Sequence, residues 1–303
     1  MTTFSLEKRV TQINIQFTRF SAFYSPLIST MSAGFLEAEG LEAQHSIAEP
    51  GTSAIDALVN GSAHVVQSAL SQGLTVREKG ATPPALHFAQ INEMDGFFLT
   101  AREADEKFSW QKLSGADVIV DHGGQPLAMF KYACHRMGVD FSSINVIDAG
   151  NGAEMDAAFR SGRGAYIHQQ GPAPQQLEYD GVGQVVASVG KAIGACGFSS
   201  LAATREWLET DMAKAFMRAY RKTRKYMTET SAEEIAEAEA SYFPNIFASV
   251  LAETIRYYQQ LGCWTPHVEI TQPAYEVTLD VFQHVGQISR RYAYDDVCTS
   301  PPG

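Results

Sequence analysis

Polar and aromatic side chains that could grip a small molecule recur at one kind of place in this sequence, just after a short apolar run. The run INIQF, residues 13–17, is followed by RFSAFYS, which offers Phe20, Phe23 and Tyr24. Rings at a strand end can sandwich a flat ligand, and a tyrosine adds a hydroxyl; the same rings would equally cap an apolar core. Arg19 in this loop can pair with an anion or lie on the surface. The segment PGTS supplies Gly51, Thr52 and Ser53 at a helix start, where free N–H groups and the helix dipole favour an anion. Those hydroxyls can also serve as ordinary N-caps. HGGQP makes the same offer with His122, Gly123, Gly124 and Gln125, its glycines letting the backbone approach a ligand closely.

Gln67 and Ser68 end one apolar run, and His168 and Gln169 end another. Buried polar groups are costly unless protein, water or ligand serves them. His168 fits three roles: a neutral hydrogen-bonding partner, a charged counter-ion, or a satisfied structural histidine. Glu93 could recognise an amine or a ring nitrogen. If the chain catalyses a reaction, His168, Tyr24, Glu93 and His122 are the residues that could supply acid–base chemistry. No nucleophile elbow, zinc-protease helix, phosphate-binding loop or dinucleotide fingerprint is present.

The elements that must position these residues read as alternating strands and helices. Residues 13–73 follow the plan strand, loop, helix, strand, loop, helix, strand, with each polar loop at the carboxyl end of a strand. Open α/β sheets place their ligands at those ends. About a hundred residues later the plan returns: GNGAEMDAAFRSGRGAYIHQ mirrors PGTSAIDALVNGSAHVVQS. At one constant offset Gly51 matches Gly152, Leu58 matches Phe159, Gly61 matches Gly162, and Gln67 matches His168. Such self-similarity sets architecture, and it predicts an α/β protein of two like lobes facing each other. From residue 205 onward the apolar spacing is helical, and Ser231 with Glu234 has the pattern of a capping box. Polar residues 1–10 are expected to be a loosely packed arm, and the tail from residue 292 to be disordered at its end.

The chain has 303 residues, 45% of them hydrophobic and 19% charged, as a globular fold requires. A net charge of −11 argues against nucleic acid as a partner, which needs clustered cations. The one basic cluster, residues 218–225, fits the solvated face of a helix. No apolar run reaches membrane-spanning length. MTTFSLEKRV lacks the features of a signal peptide, so the expected compartment is the cytoplasm, or the periplasm if a signal has been removed. Cys134, Cys196, Cys263 and Cys298 are scattered without metal spacing and are expected to be buried thiols; no metal and no cofactor is expected.

GFLEAEGLE, DALVNGSAHVV and WQKLSGADVIVDHGG together resemble the type II periplasmic-binding-protein fold over residues 11–290. Within it, the chain is similar to the NMT1/THI5-like group of nitrate, sulfonate, taurine and thiamine-pyrimidine binding proteins. The resemblance implies two α/β lobes joined by two crossover strands near residues 96–100 and 196–200. Lobe 1 would then comprise 1–98 and 197–303, with the C-terminal helices packing back on it, and lobe 2 would comprise 99–196. It also implies a substrate-binding protein of the ABC-transporter type, closing by hinge motion on an anion, an aromatic acid or an aminopyrimidine, with a permease as partner. A lipobox cysteine is missing, as are the cysteine-rich stretch of the pyrimidine-synthesising branch and a cysteine in the first loop.

Overall fold

The computed structural model describes residues 10–49 and 51–303; residues 1–9 of the expected arm lie outside them. In the first part of the chain β1 (Thr11–Phe17) leads through α1 (Ser25–Ser32) and α2 (Phe35–Ala38) to β2 (Leu41–Ile47). Then come α3 (Ala54–Val59), β3 (Val65–Ser68), α4 (Leu70–Glu78) and β4 (Ala85–Asn92). The middle part holds β5 (Phe97–Ala101), β6 (Asp117–Ile119), α5 (Gly124–Arg136), β7 (Asn145–Ile147) and α6 (Gly152–Arg160). It ends with β8 (Tyr166–Gln170), α7 (Ala173–Tyr179), β9 (Gln184–Ser188) and α8 (Val189–Ile193). The last part contains β10 (Ser199–Thr204) and helices α9 (Arg205–Leu208), α10 (Asp211–Glu229), α11 (Ala232–Glu239), α12 (Ala248–Leu261) and α13 (Gln272–His284).

These strands form two five-stranded sheets with orders β2-β1-β3-β10-β4 and β7-β6-β8-β5-β9. Four strands of each sheet run in one direction, and one, β10 or β5, runs antiparallel to both its neighbours. The fold is thus two lobes of one plan, which is the structural meaning of the internal repeat. Alternation explains the strands: in β1 the side chains of Ile13, Ile15 and Phe17 are buried while their neighbours are less so. The last helices return to the first lobe, α10 lying on α1 and α2, and α11 on α1.

The chain passes between sheets through residues 93–96 and 194–198. The expected first crossing at 96–100 differs, because Phe97 and Phe98 already belong to β5 in the second sheet. The two passages are tied to each other: Cys196 N–H donates to Glu93 O at 2.7 Å, and Phe198 N–H to Asn92 O at 3.3 Å. Tyr258 of α12 donates to Gly96 O at 3.0 Å and accepts from Gly171 N–H of the second lobe at 2.8 Å. Gly96 is there for want of space. A Cβ on it would lie 2.3–2.5 Å from ring atoms of Phe23, which is itself fully buried against Tyr24, Phe198 and Tyr258. Gly96→Ala is therefore expected to destabilise the protein by about 1–3 kcal/mol or more, as overpacking does. Urea denaturation measures it, and an unchanged midpoint would show that the ring can step aside.

Two expectations are corrected here. Arg224, in the basic cluster, is not solvated but fully buried, donating to Ile91 O at 2.5 Å and Thr265 O at 2.7 Å. It satisfies carbonyls that the strand edge and a loop leave over. Arg218, Lys222 and Lys225 do lie on an exposed face, the first two reaching Glu39 and the third Glu229. The C-terminal tail is held to its last residues: His87 N–H donates to Val297 O and Thr299 N–H to His87 O, both at 2.9 Å, and Arg221 Nη2–H donates to Pro302 O at 3.0 Å. The tail covers the free edge of β4, which is why every residue of that edge strand is buried. All four cysteines are free and buried.

Candidate functional site

The loops after β1, β3, β6 and β8 converge on the groove between the lobes. Gln67, at the end of β3, accepts the N–H groups of Thr18 and Arg19 on its Oε1, each at 3.1 Å. That pair of bonds fixes the turn after β1 and aims Arg19 across the groove. On the far wall Asp121, just past β6, accepts Arg19 Nη1–H at 2.7 Å and Gly123 N–H at 2.8 Å. The side chains are 40% and 9% exposed, respectively. Burial alone would raise the Asp121 carboxyl, but the Arg19 charge and these hydrogen bonds hold it below the ordinary carboxylate range. The pair bridges the lobes and divides the groove in two.

The first chamber, about 420 Å³, is lined by Tyr24, Gln67, Ser68, Phe97, Gly123, Gly124, Gln125, Phe198 and Ser199 among others. It meets the N-terminus of α5, whose cap residue Gly123 brings no side-chain hydrogen bond. The Oγ of Ser68 and the Oε1 of Gln125 are buried there without a hydrogen-bond partner. Tyr24 accepts Gln170 Nε2–H at 3.3 Å on its hydroxyl oxygen. The second chamber, about 620 Å³, is lined by Phe20, Gly51, Thr52, Asp121, His122, Gln169 and Gln170 among others, and both chambers share Thr18, Arg19 and Gly123.

Of the residues singled out from sequence, Phe20, Tyr24, Gly51, Thr52, Gln67, Ser68, His122, Gly123, Gly124, Gln125 and Gln169 lie on one chamber or the other. Four do not. Phe23 is a core ring under the first crossing. Ser53 caps α3, accepting Ile55 N–H at 3.2 Å, while the Thr52 hydroxyl donates to Glu49 O at 2.7 Å. Glu93 is held at the crossing by Thr271 Oγ1–H at 3.0 Å, with His267 Nε2 3.4 Å away. His168 lies behind the groove wall, stacked between Phe97 and Phe130 with both ring centroids 4.6 Å away. Burial pushes its pKa down to about 3, so it stays neutral. His122 spends its Nδ1–H on Val120 O at 2.7 Å. Among the described residues no hydrogen bond or ion pair joins any two of His168, Tyr24, Glu93 and His122.

Asp121, Phe97 and Phe198 were not singled out from sequence; the two rings form walls of the groove, and Asp121 joins Arg19, which was, in the bar across it. Asp121 does follow a strand and precede a Gly-Gly, a signal that an acid there could brace the loop. Nothing local ties it to Arg19, 102 positions earlier.

A family model described as NMT1/THI5 like matches residues 23–234. The chain belongs to the NMT1/THI5-like family. This NMT1/THI5-like chain is 26% identical over 295 residues to the putative binding protein YtlA of Bacillus subtilis (strain 168), covering 96% of this chain and 88% of that relative. Among solved structures it superposes on the ligand-binding component of an ABC-type import system from Staphylococcus aureus, with zinc bound. The TM-score is 0.74 at 16% identity, covering 96% of this chain and 97% of that one. The periplasmic aliphatic sulphonate binding protein SsuA from Escherichia coli gives a TM-score of 0.72 at 16% identity, covering 92% and 94%. At these identities the structural likeness speaks for the fold, the two-lobed type II periplasmic-binding-protein architecture. No helix among the described residues is long and apolar enough to cross a membrane.

Proposed function

We propose that this NMT1/THI5-like chain is a substrate-binding protein that holds a small organic anion in the first chamber, at the N-terminus of α5, and closes its lobes over it. One observation carries the reading: a half-exposed guanidinium, Arg19, stands beside a helix start whose cap residue brings no side-chain hydrogen bond and where Asp121 takes only the Gly123 N–H. A helix N-terminus and a charged fork of donors both favour an anion, and the Ser68 hydroxyl adds a further donor. Phe97 and Phe198 give the organic part of the ligand an apolar wall. Closure follows because the donors lie on different lobes: Arg19 and Ser68 on the first, the α5 start on the second. A ligand touching both favours the state in which they meet.

The names of the relatives, a putative binding protein and an import-system component, support an ABC-type role in which a membrane permease receives the ligand from the closed lobes. That role requires the protein to meet its permease outside the cytoplasmic membrane. The test is calorimetric titration with butyrate, benzoate and propanesulfonate, each also run as a thermal-shift series. At least one is expected to bind one-to-one and to raise Tm. Indifference to all three, with a neutral or cationic compound co-purifying in native mass spectrometry, would overturn the anion reading.

A further inference from the structure

Resting on that reading, we infer that the second chamber is a recognition subsite for the far end of the same ligand, an amide- or urea-like edge carrying both N–H donors and a carbonyl. The residues that call for it are two neighbouring glutamines at the end of β8. Gln169 is 4% exposed and lines the chamber, yet neither its Oε1 nor its Nε2 has a hydrogen-bond partner. Gln170 is 8% exposed; its Nε2–H goes to the Tyr24 hydroxyl, and its Oε1 is unpartnered. A buried amide left unmatched is costly, so such groups are built to be answered by something that enters. A primary amide with both atoms free answers a partner that offers a donor and an acceptor side by side, as another amide, a urea or an amino-heterocycle does.

The charges around the chamber exclude a second anion. Arg19 borders both chambers, but the carboxylates of Glu49 and Asp121 line only this one, so an anion here would meet two like charges. The start of α6 also borders it, but a capping box closes that end: Asn151 accepts the N–H groups of Ala153 and Glu154, and Glu154 accepts that of Asn151. The two helix starts therefore differ in degree: at α5 only the Gly123 N–H is taken, by Asp121, whereas at α6 the box takes those of Asn151, Ala153 and Glu154. The chambers meet at Thr18, Arg19 and Gly123, so one elongated ligand can reach both. The assigned ligand is long, with its charge on one side of the Arg19–Asp121 bar and its neutral hydrogen-bonding edge on the other.

Three probes test this by calorimetry: butyrate, 6-methylheptanoate and 4-ureidobutyrate, the last two alike in shape and different only in the polar end. The native protein is expected to bind 4-ureidobutyrate at least tenfold more tightly than 6-methylheptanoate. Gln169→Leu and Gln169→Met should bring that ratio close to one and leave butyrate binding unchanged, which also certifies that the variants fold. Equal binding of the two long acids by native protein, or a ratio that survives both variants, overturns the subsite while the anion site stands. Failure of all three probes overturns the anion site and the subsite together.

Discussion

Arg19→Ala is expected to weaken binding of an anion in the groove about 10- to 100-fold, the roughly 1.5–3 kcal/mol that a hydrogen bond to a charged group contributes. The substitution removes the donor fork that reaches from the first lobe to the second. It also strands Asp121, which is 9% exposed and would keep only the Gly123 N–H as a partner. Native stability should therefore fall as well, and titration must be run well below the lowered Tm. Arg19→Lys restores the charge but not the fork, so it should recover binding only in part. The decisive companion is Asp121→Asn. Its amide oxygen can still accept from Gly123 N–H, yet the carboxylate that competes for Arg19 is gone. Anion affinity should rise. Opposite signs for the two variants identify Arg19 as the anion's partner; the same sign would mean that the pair serves only to hold the lobes together.

A second large effect is expected in stability against pH. Glu239, at the end of α11, is fully buried against α1. Ser29 Oγ–H donates to its Oε1 at 2.6 Å, and Ser25 Oγ lies 2.7 Å from its Oε2. Ser25 has one proton, and Ala22 O at 2.8 Å can take it, so Oε2 is best served by carrying a proton itself. Burial accordingly raises the Glu239 pKa to about 8, and raises that of Asp95, at the first crossing, to about 8 as well. For both acids the folded value lies above the unfolded one, so their stabilisation is complete below the unfolded pKa and is lost as pH climbs through the folded one. His87 and His168 have the opposite sign: buried and neutral, with pKa values pushed down to about 4 and about 3, they cost stability as pH falls below 6.5. The two effects compete up to about pH 7.5, where the unfolded chain's histidines finish losing their protons, but from pH 6.5 to 8 the acids outweigh them.

Stability should therefore fall through that interval, by at most about 1.4 kcal/mol per pH unit for each acid. Glu239→Gln keeps a neutral group of the same shape and should remove roughly half of the acids' share of the slope. Urea midpoints at half-unit steps measure it. A native protein whose stability is flat or rising from pH 6.5 to 8 would refute the assignment of protonated carboxyls.

Much about this protein was settled by residues close together in the chain. Strand alternation in 11–17, the helical spacing beyond 205 and the offset that matches Gly61 to Gly162 define two like lobes, because periodicity and turn chemistry act within a few residues. The Gly-Gly after β6 marked the start of α5 for the same reason. What side chains do on arrival was decided by the tertiary structure. His168 and Gln67 are repeat mates, yet one is stacked between two rings and the other braces the Arg19 turn. Glu93 belongs to Thr271, 178 positions away, and Arg19 to Asp121, 102 away. Partners so far apart meet only when sheets and crossings have formed. A polar residue's role depends on which groups then surround it, and no local pattern carries that information.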